Sequence, residues 1–134
     1  MKPAELKRLH AAALDARKKS YSPYSEYSVG AALLLANGNI VGGCNVENAS
    51  FGATICAERT AFFTAVASEG KIKPVALALV TQPSAVPCGL CLQVMAEFCS
   101  KDFPIYLGDP KDPGKRVTLG DLLPHSFGGD ALKK

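Results

Sequence analysis

The sequence predicts a mixed α/β domain in which helices cover both sides of a sheet of about five strands. Three observations predict it. Segments with apolar residues at helical spacing alternate with short apolar runs. An Asn-Gly pair joins two of those runs, and the remaining Gly and Pro are scattered as punctuation rather than pooled into a linker.

Over residues 3–19, Leu6, Leu9, Ala13 and Leu14 recur among Lys and Arg, which predicts an amphipathic first helix. Ser22-Pro23-Tyr24-Ser25 breaks it. Residues 27–35 and 39–46, on either side of Asn37-Gly38, read as a hairpin whose nearly all-apolar first arm is buried on both faces. A second helix starts near Thr54 or Cys56 and runs to Glu69, carrying Ala57, Ala61, Phe62, Ala65 and Val66 before Gly70 stops it. Residues 75–81 follow as a buried strand. Pro87 and Cys88 open a third helix with Val94, Met95 and Phe98 as its apolar face, Pro87 standing where a helix start tolerates proline. Residues 105–107 form a short strand, residues 108–114 a Gly/Pro/Asp loop, Val117 begins another short strand, and residues 119–123 make a helical turn stopped by Pro124.

A length of 134 residues with 48% hydrophobic content suits one domain spanning 1–134. No run reaches the roughly 18 apolar residues of a membrane span, and the N-terminal segment lacks a signal-type apolar stretch, so a soluble, cytoplasmic protein is expected. A net charge of +3 with mixed signs gives no phosphate-tracking surface, and nucleic acid is not an expected partner. Five cysteines argue against a disulfide framework and for metal or catalytic use.

Cys88 and Cys91 lie three apart at a predicted helix start, and Cys56 occupies the same kind of position on the preceding helix. The positive end of a helix favours the thiolate that zinc binds. Alone, the C-x-x-C could equally be a structural zinc clip or a redox pair, and Cys56 a core thiol. C-A-E followed by P-C-x-x-C instead corresponds to the three-cysteine zinc deaminase signature, with Glu58 as acid/base rather than ligand. Three sulfurs leave a tetrahedral zinc one open position for water. Cys44 and Cys99 read as ordinary buried or half-buried thiols.

With these residues in place the chain resembles the small homotetrameric cytidine deaminases over nearly its whole length. The resemblance is carried by residues 21–33 (YSPYSEYSVGAAL), 43–50 (GCNVENAS), 56–61 (CAERTA), 87–94 (PCGLCLQV) and 122–127 (LLPHSF). It implies a three-layer helix-sheet-helix sandwich with a mixed five-stranded sheet, one Zn²⁺ per subunit, and a homotetramer whose active sites are completed by neighbouring subunits. It also implies hydrolysis of free cytidine and deoxycytidine to uridine and deoxyuridine in pyrimidine salvage, with Glu58 as proton shuttle. A related aminonucleoside, or a base in nucleic acid, is the alternative substrate. Asn45 and Glu47 match positions that bind the ribose 3'-hydroxyl, Tyr27 one that packs on the pyrimidine, and Phe127 an aromatic from a neighbouring subunit. Backbone groups near Ala57 and Cys88 would hold the reacting centre, and Arg59 would offset the charge of three thiolates. Leu92 departs from the family, whose members usually carry Arg there; this bears on efficiency and assembly more than on reaction class.

Overall fold

The protein, described over residues 1–132 in a computed structural model, begins with α1 (Pro3–Arg17). Proline stands in the first turn, where its missing N–H costs nothing, and Leu9 and Ala13, one turn apart, are fully buried. β1 (Gly30–Leu35) and β2 (Ile40–Cys44) form the expected antiparallel hairpin, and every residue of β1 is buried. After a short 3₁₀ turn at Phe51–Ala53 come α2 (Ala57–Glu69) and β3 (Pro74–Val80). α3 (Gly89–Phe98), β4 (Pro104–Asp109), β5 (Asp112–Thr118), the one-turn α4 (Leu119–Leu122) and a second 3₁₀ turn at Gly129–Ala131 complete the described regular structure.

The sheet order is β2-β1-β3-β4-β5. Only β3 and β4 run parallel, and α3 lies in the crossover that such a pair requires. Alternate strand residues face two separate cores. Leu9 and Ala13 of α1 meet Ala32, Leu34, Ala78, Val80 and Tyr106 on one face. On the other, Phe62 of α2 and Met95 of α3 pack with Leu33, Leu77, Leu79 and Ile105. The result is the three-layer sandwich with a mixed five-stranded sheet.

The C-terminal part corrects one expectation. Residues 108–114 are not an open loop, and the fifth strand begins at Asp112 rather than Val117. The reason is local: the Asp109 carboxylate accepts from the N–H groups of Lys111 and Asp112 at 2.8 and 3.0 Å, turning the chain tightly. Gly114 takes φ 77° at the accompanying irregularity in register, and Pro113 is tolerated because β5 is an edge strand. Two helix starts also move. Pro87 sits one residue before the N-cap Cys88 rather than in the first turn, and the second helix begins at Ala57 with Cys56 as its N-cap.

Gly43 positions α2. A Cβ there would stand 2.4 Å from the Ala61 nitrogen and 2.6 Å from the Ala57 carbonyl oxygen, so only glycine lets α2 lie this close to β2. The start of α2, the end of β2, the approach to β1 and the exit from β3 thereby meet at one end of the sheet. No described helix is long and apolar enough to cross a membrane.

Candidate active site

Two helix N-termini bring three sulfurs together. Cys56 caps α2, Cys88 caps α3, and Cys91 is the third residue of α3. Cys56 Sγ lies 3.7 Å from Cys88 Sγ, which lies 3.3 Å from Cys91 Sγ. All three sulfurs are within 4.8 Å of one another. A tetrahedral zinc with bonds of about 2.3 Å separates its sulfurs by about 3.8 Å, so the group fits that ion. Among the described residues no fourth His, Cys, Asp or Glu joins them, and the donor set is that of a site with one position to spare. Cys91 is buried and Cys88 exposed, so the group opens to solvent on one side.

The local electrostatics favour thiolate chemistry. Hydrogen bonding with Cys91, aided by Arg59, holds the Cys56 thiol well below its ordinary range, while the same bond and burial push Cys91 up. Arg59 Nη2 donates to Cys56 Sγ at 3.5 Å, and its Nε is buried without a partner among the described residues. The guanidinium thus sits against the sulfurs rather than in solvent. Glu58 is 5% exposed; burial pushes its carboxyl up to about 7, and the negative Cys56 sulfur adds to the rise. An acid that changes charge near neutrality beside a metal site is suited to proton transfer.

Glu58 and Cys88 line a cavity of about 290 Å³ together with Ala57, Tyr27, Asn45 and Glu47. As the first residue of α2, Ala57 carries an N–H with no intrahelical acceptor. The Asn45 amide oxygen accepts from Val29 N at 2.9 Å and from the Ser20 hydroxyl, and its nitrogen donates to Tyr27 O at 2.8 Å. Glu47 Oε1 accepts from the N–H groups of Tyr24 and Ser25 at 3.0 and 3.1 Å, while Oε2 accepts from the Ser25 hydroxyl. These bonds hold the Glu47 carboxyl below the usual range, so it stays charged. By donor and acceptor inventory, Asn45 keeps one amide hydrogen and Glu47 about one lone-pair direction for an outside group.

Tyr27 lines the cavity, and its hydroxyl donates to Pro83 O at 3.0 Å. Phe127 does not line it: 59% exposed, it is fixed through its carbonyl, which accepts from Gln93 Nε2 at 2.5 Å. Leu92 is buried in the core between α2 and the sheet, so no charge enters the sulfur group from that position. Cys44 and Cys99 lie outside the group, and burial pushes Cys99 up to about 12. Sequence reasoning missed the cavity walls supplied by Thr54, Thr81, Ala85 and Val86. Thr81 could have been flagged as a polar residue closing an apolar strand.

Comparison with known proteins agrees with this geometry. The family model described as "Cytidine and deoxycytidylate deaminase zinc-binding region" matches residues 3–107. A cytidine deaminase of Halalkalibacterium halodurans is 49% identical over 117 residues, covering 86% of this chain and 88% of that protein. One from Sporosarcina psychrophila is 45% identical over 130 residues, covering 96% and 95%. The crystal structure of cytidine deaminase from Burkholderia pseudomallei superposes with a TM-score of 0.85 at 40% identity, covering 95% of this chain and all of that one. With a zinc-fitting sulfur group, a buried glutamic acid beside it and this breadth of similarity, the chain belongs to the zinc-dependent cytidine and deoxycytidylate deaminase family.

Proposed function

We propose that the protein hydrolyses the 4-amino group of free cytidine and deoxycytidine, giving uridine or deoxyuridine and ammonia. The observation that carries this reading is the buried Glu58 carboxyl opening into the same cavity as the three-sulfur group. Cys56, Cys88 and Cys91 would hold the zinc. When bound there, the metal supplies Lewis acidity that makes a water molecule nucleophilic at neutral pH. Glu58 takes a proton from that water at a carboxylate oxygen and delivers protons to ring N3 and to the departing amine. Water oxygen is added at C4 and ammonia leaves, so the atoms balance. Arg59, against Cys56 Sγ, offsets the negative charge of the sulfurs. The free N–H of Ala57, with backbone at Cys88, favours negative charge developing at C4 oxygen in the transition state.

The ribose end is read from unspent hydrogen-bonding capacity. A hydroxyl needs one acceptor and one donor, which Glu47 and Asn45 retain. A charged Glu47 repels a phosphate at that position, favouring a free nucleoside over a polynucleotide. The ring of Tyr27 supplies a face for the pyrimidine. Phe127 and Phe51, 59% and 78% exposed, are consistent with a homotetramer in which Phe127 reaches a neighbouring cavity. A free-nucleoside substrate supports a cytoplasmic role in pyrimidine salvage as part of this proposal.

Ammonia release from cytidine, measured with and without chelator, tests the reaction. Glu58→Gln is expected to keep zinc while turnover falls by about three orders of magnitude or more. Near-normal turnover in that variant overturns the assignment of Glu58. Light scattering on a fully active species the size of one chain would refute the tetramer.

A further inference from the structure

The stretch from Thr81 to Cys88 joins β3 to α3, forms one wall of the cavity and delivers a sulfur to the metal group. Its ends, Thr81 and Pro87, are buried, but all five residues between them are exposed. Ala85 and Val86 nevertheless line the cavity. An exposed loop of this kind needs an anchor to act as a wall of fixed shape. Among the described residues, the Pro83 carbonyl is the only group of residues 82–87 that takes part in a hydrogen bond.

That carbonyl accepts twice. Thr81 Oγ1 donates to it at 2.5 Å and Tyr27 Oη at 3.0 Å, using both of its lone pairs. Thr81 is 3% exposed, and its hydroxyl spends its proton here. Tyr27 is tied at its other end as well, because its N–H donates to Ser25 Oγ at 3.0 Å and the Ser25 hydroxyl in turn donates to Glu47. A continuous chain of bonds therefore runs from the Glu47 end of the cavity to the loop that carries Cys88.

Resting on the deaminase reading above, we propose that the doubly held Pro83 carbonyl is a tether fixing the cavity wall, with Thr81 and the Tyr27 hydroxyl as its positioning groups. Tyr27 then has two separable parts, a ring facing the cavity and a hydroxyl that holds the loop. The two donors back each other up: either alone keeps the carbonyl bonded, and only loss of both frees the wall. Freeing the wall lowers the population of the binding-competent shape, so it raises KM more than it lowers kcat.

The test is a double-mutant cycle of Tyr27→Phe and Thr81→Val in the zinc-loaded protein, read by NMR order parameters of the Ser84, Ala85 and Val86 amides and by cytidine kinetics. Each single variant is expected to keep these amides near the rigid value of about 0.85, and the double variant to fall below about 0.6. KM should rise at least about fivefold in the double variant with kcat within about twofold. Thr81→Ser, placed in the Tyr27→Phe background, should return both readouts to the single-variant level. Order parameters in the double variant that match those of the unaltered protein, or a loss in either single variant as large as in the double, overturn the tether. If that double variant does not fold, Tyr27→Phe with Thr81→Ala replaces it, and unchanged order parameters there overturn the tether equally. Absence of cytidine turnover in the unaltered protein refutes the functional reading instead, and the order parameters judge the tether independently.

Discussion

Gly43→Ala moves the site without replacing any residue proposed to bind or react. The added Cβ would stand 2.4 Å from the Ala61 nitrogen and 2.6 Å from the Ala57 carbonyl oxygen, where ordinary contact begins at 3.4 Å. Both obstacles are backbone, so no side-chain rotation relieves them, and α2 must retreat from β2 by about 1 Å at that turn. Ala57 is the first residue of α2, with Cys56 before it and Glu58 after it, so the retreat is carried into the sulfur group. Overpacking of this kind costs about 1–3 kcal/mol, a fall in Tm of roughly 4–12 °C for a chain of this size. A misplacement of about 1 Å at reacting groups costs on the order of a hundredfold in rate. The assay is kcat on cytidine beside a thermal melt and a zinc determination. Loss of activity far beyond the loss of folded protein is expected at the assay temperature. Unchanged kcat with Tm within about 1 °C of the unaltered protein would refute the close-approach reasoning.

The thiol of Cys99, pushed up to about 12 by burial, should resist alkylation in the folded protein at pH 8 and react once denaturant is added, which peptide mass mapping reads directly. Labelling of Cys99 at the rate of a free thiol under native conditions would contradict its burial. Thr118→Ala removes one half of the capping box with Asp121 and should lower stability by about 1 kcal/mol in a urea melt. Asp121 is held below its ordinary range by hydrogen bonds with Thr118, so its contribution is present above the unfolded carboxyl's pKa and lost as pH falls through the lower, folded one. The stability gap between Asp121→Ala and the unaltered protein should therefore narrow in acid, and a gap independent of pH would count against the box.

Much of the sandwich was legible because its elements carry local signals. Leu9 and Ala13 recur at helical spacing, Asn37-Gly38 turns the first hairpin, and an unbroken apolar run made β1 recognisable as buried. The second hairpin was hidden. Asp109, Pro110, Pro113 and Gly114 have loop composition, and a carboxylate bonding two backbone N–H groups turned that composition into a tight turn between strands. At the site, Cys56, Glu58, Cys88 and Cys91 stood out because zinc chemistry restricts both residue type and spacing. Thr81 and Val86 did not, since a cavity wall is defined by neighbours distant in sequence and carries no spacing of its own. Asn45 and Glu47 line the cavity, but most of their hydrogen-bonding groups hold residues 20–29 in place, a duty no local pattern announces. Phe127 is exposed and does not line the cavity of its own chain.

The proline within β5 has a further consequence for how copies of the chain meet. An exposed strand margin invites another molecule to continue the sheet, yet Pro113 withholds an amide hydrogen there, and the neighbouring Lys115 and Arg116 set like charges against any identical strand approaching it. At the opposite margin, β2 is flanked by both α1 and α2. Sheet continuation from one copy to another is thus disfavoured along the β5 margin.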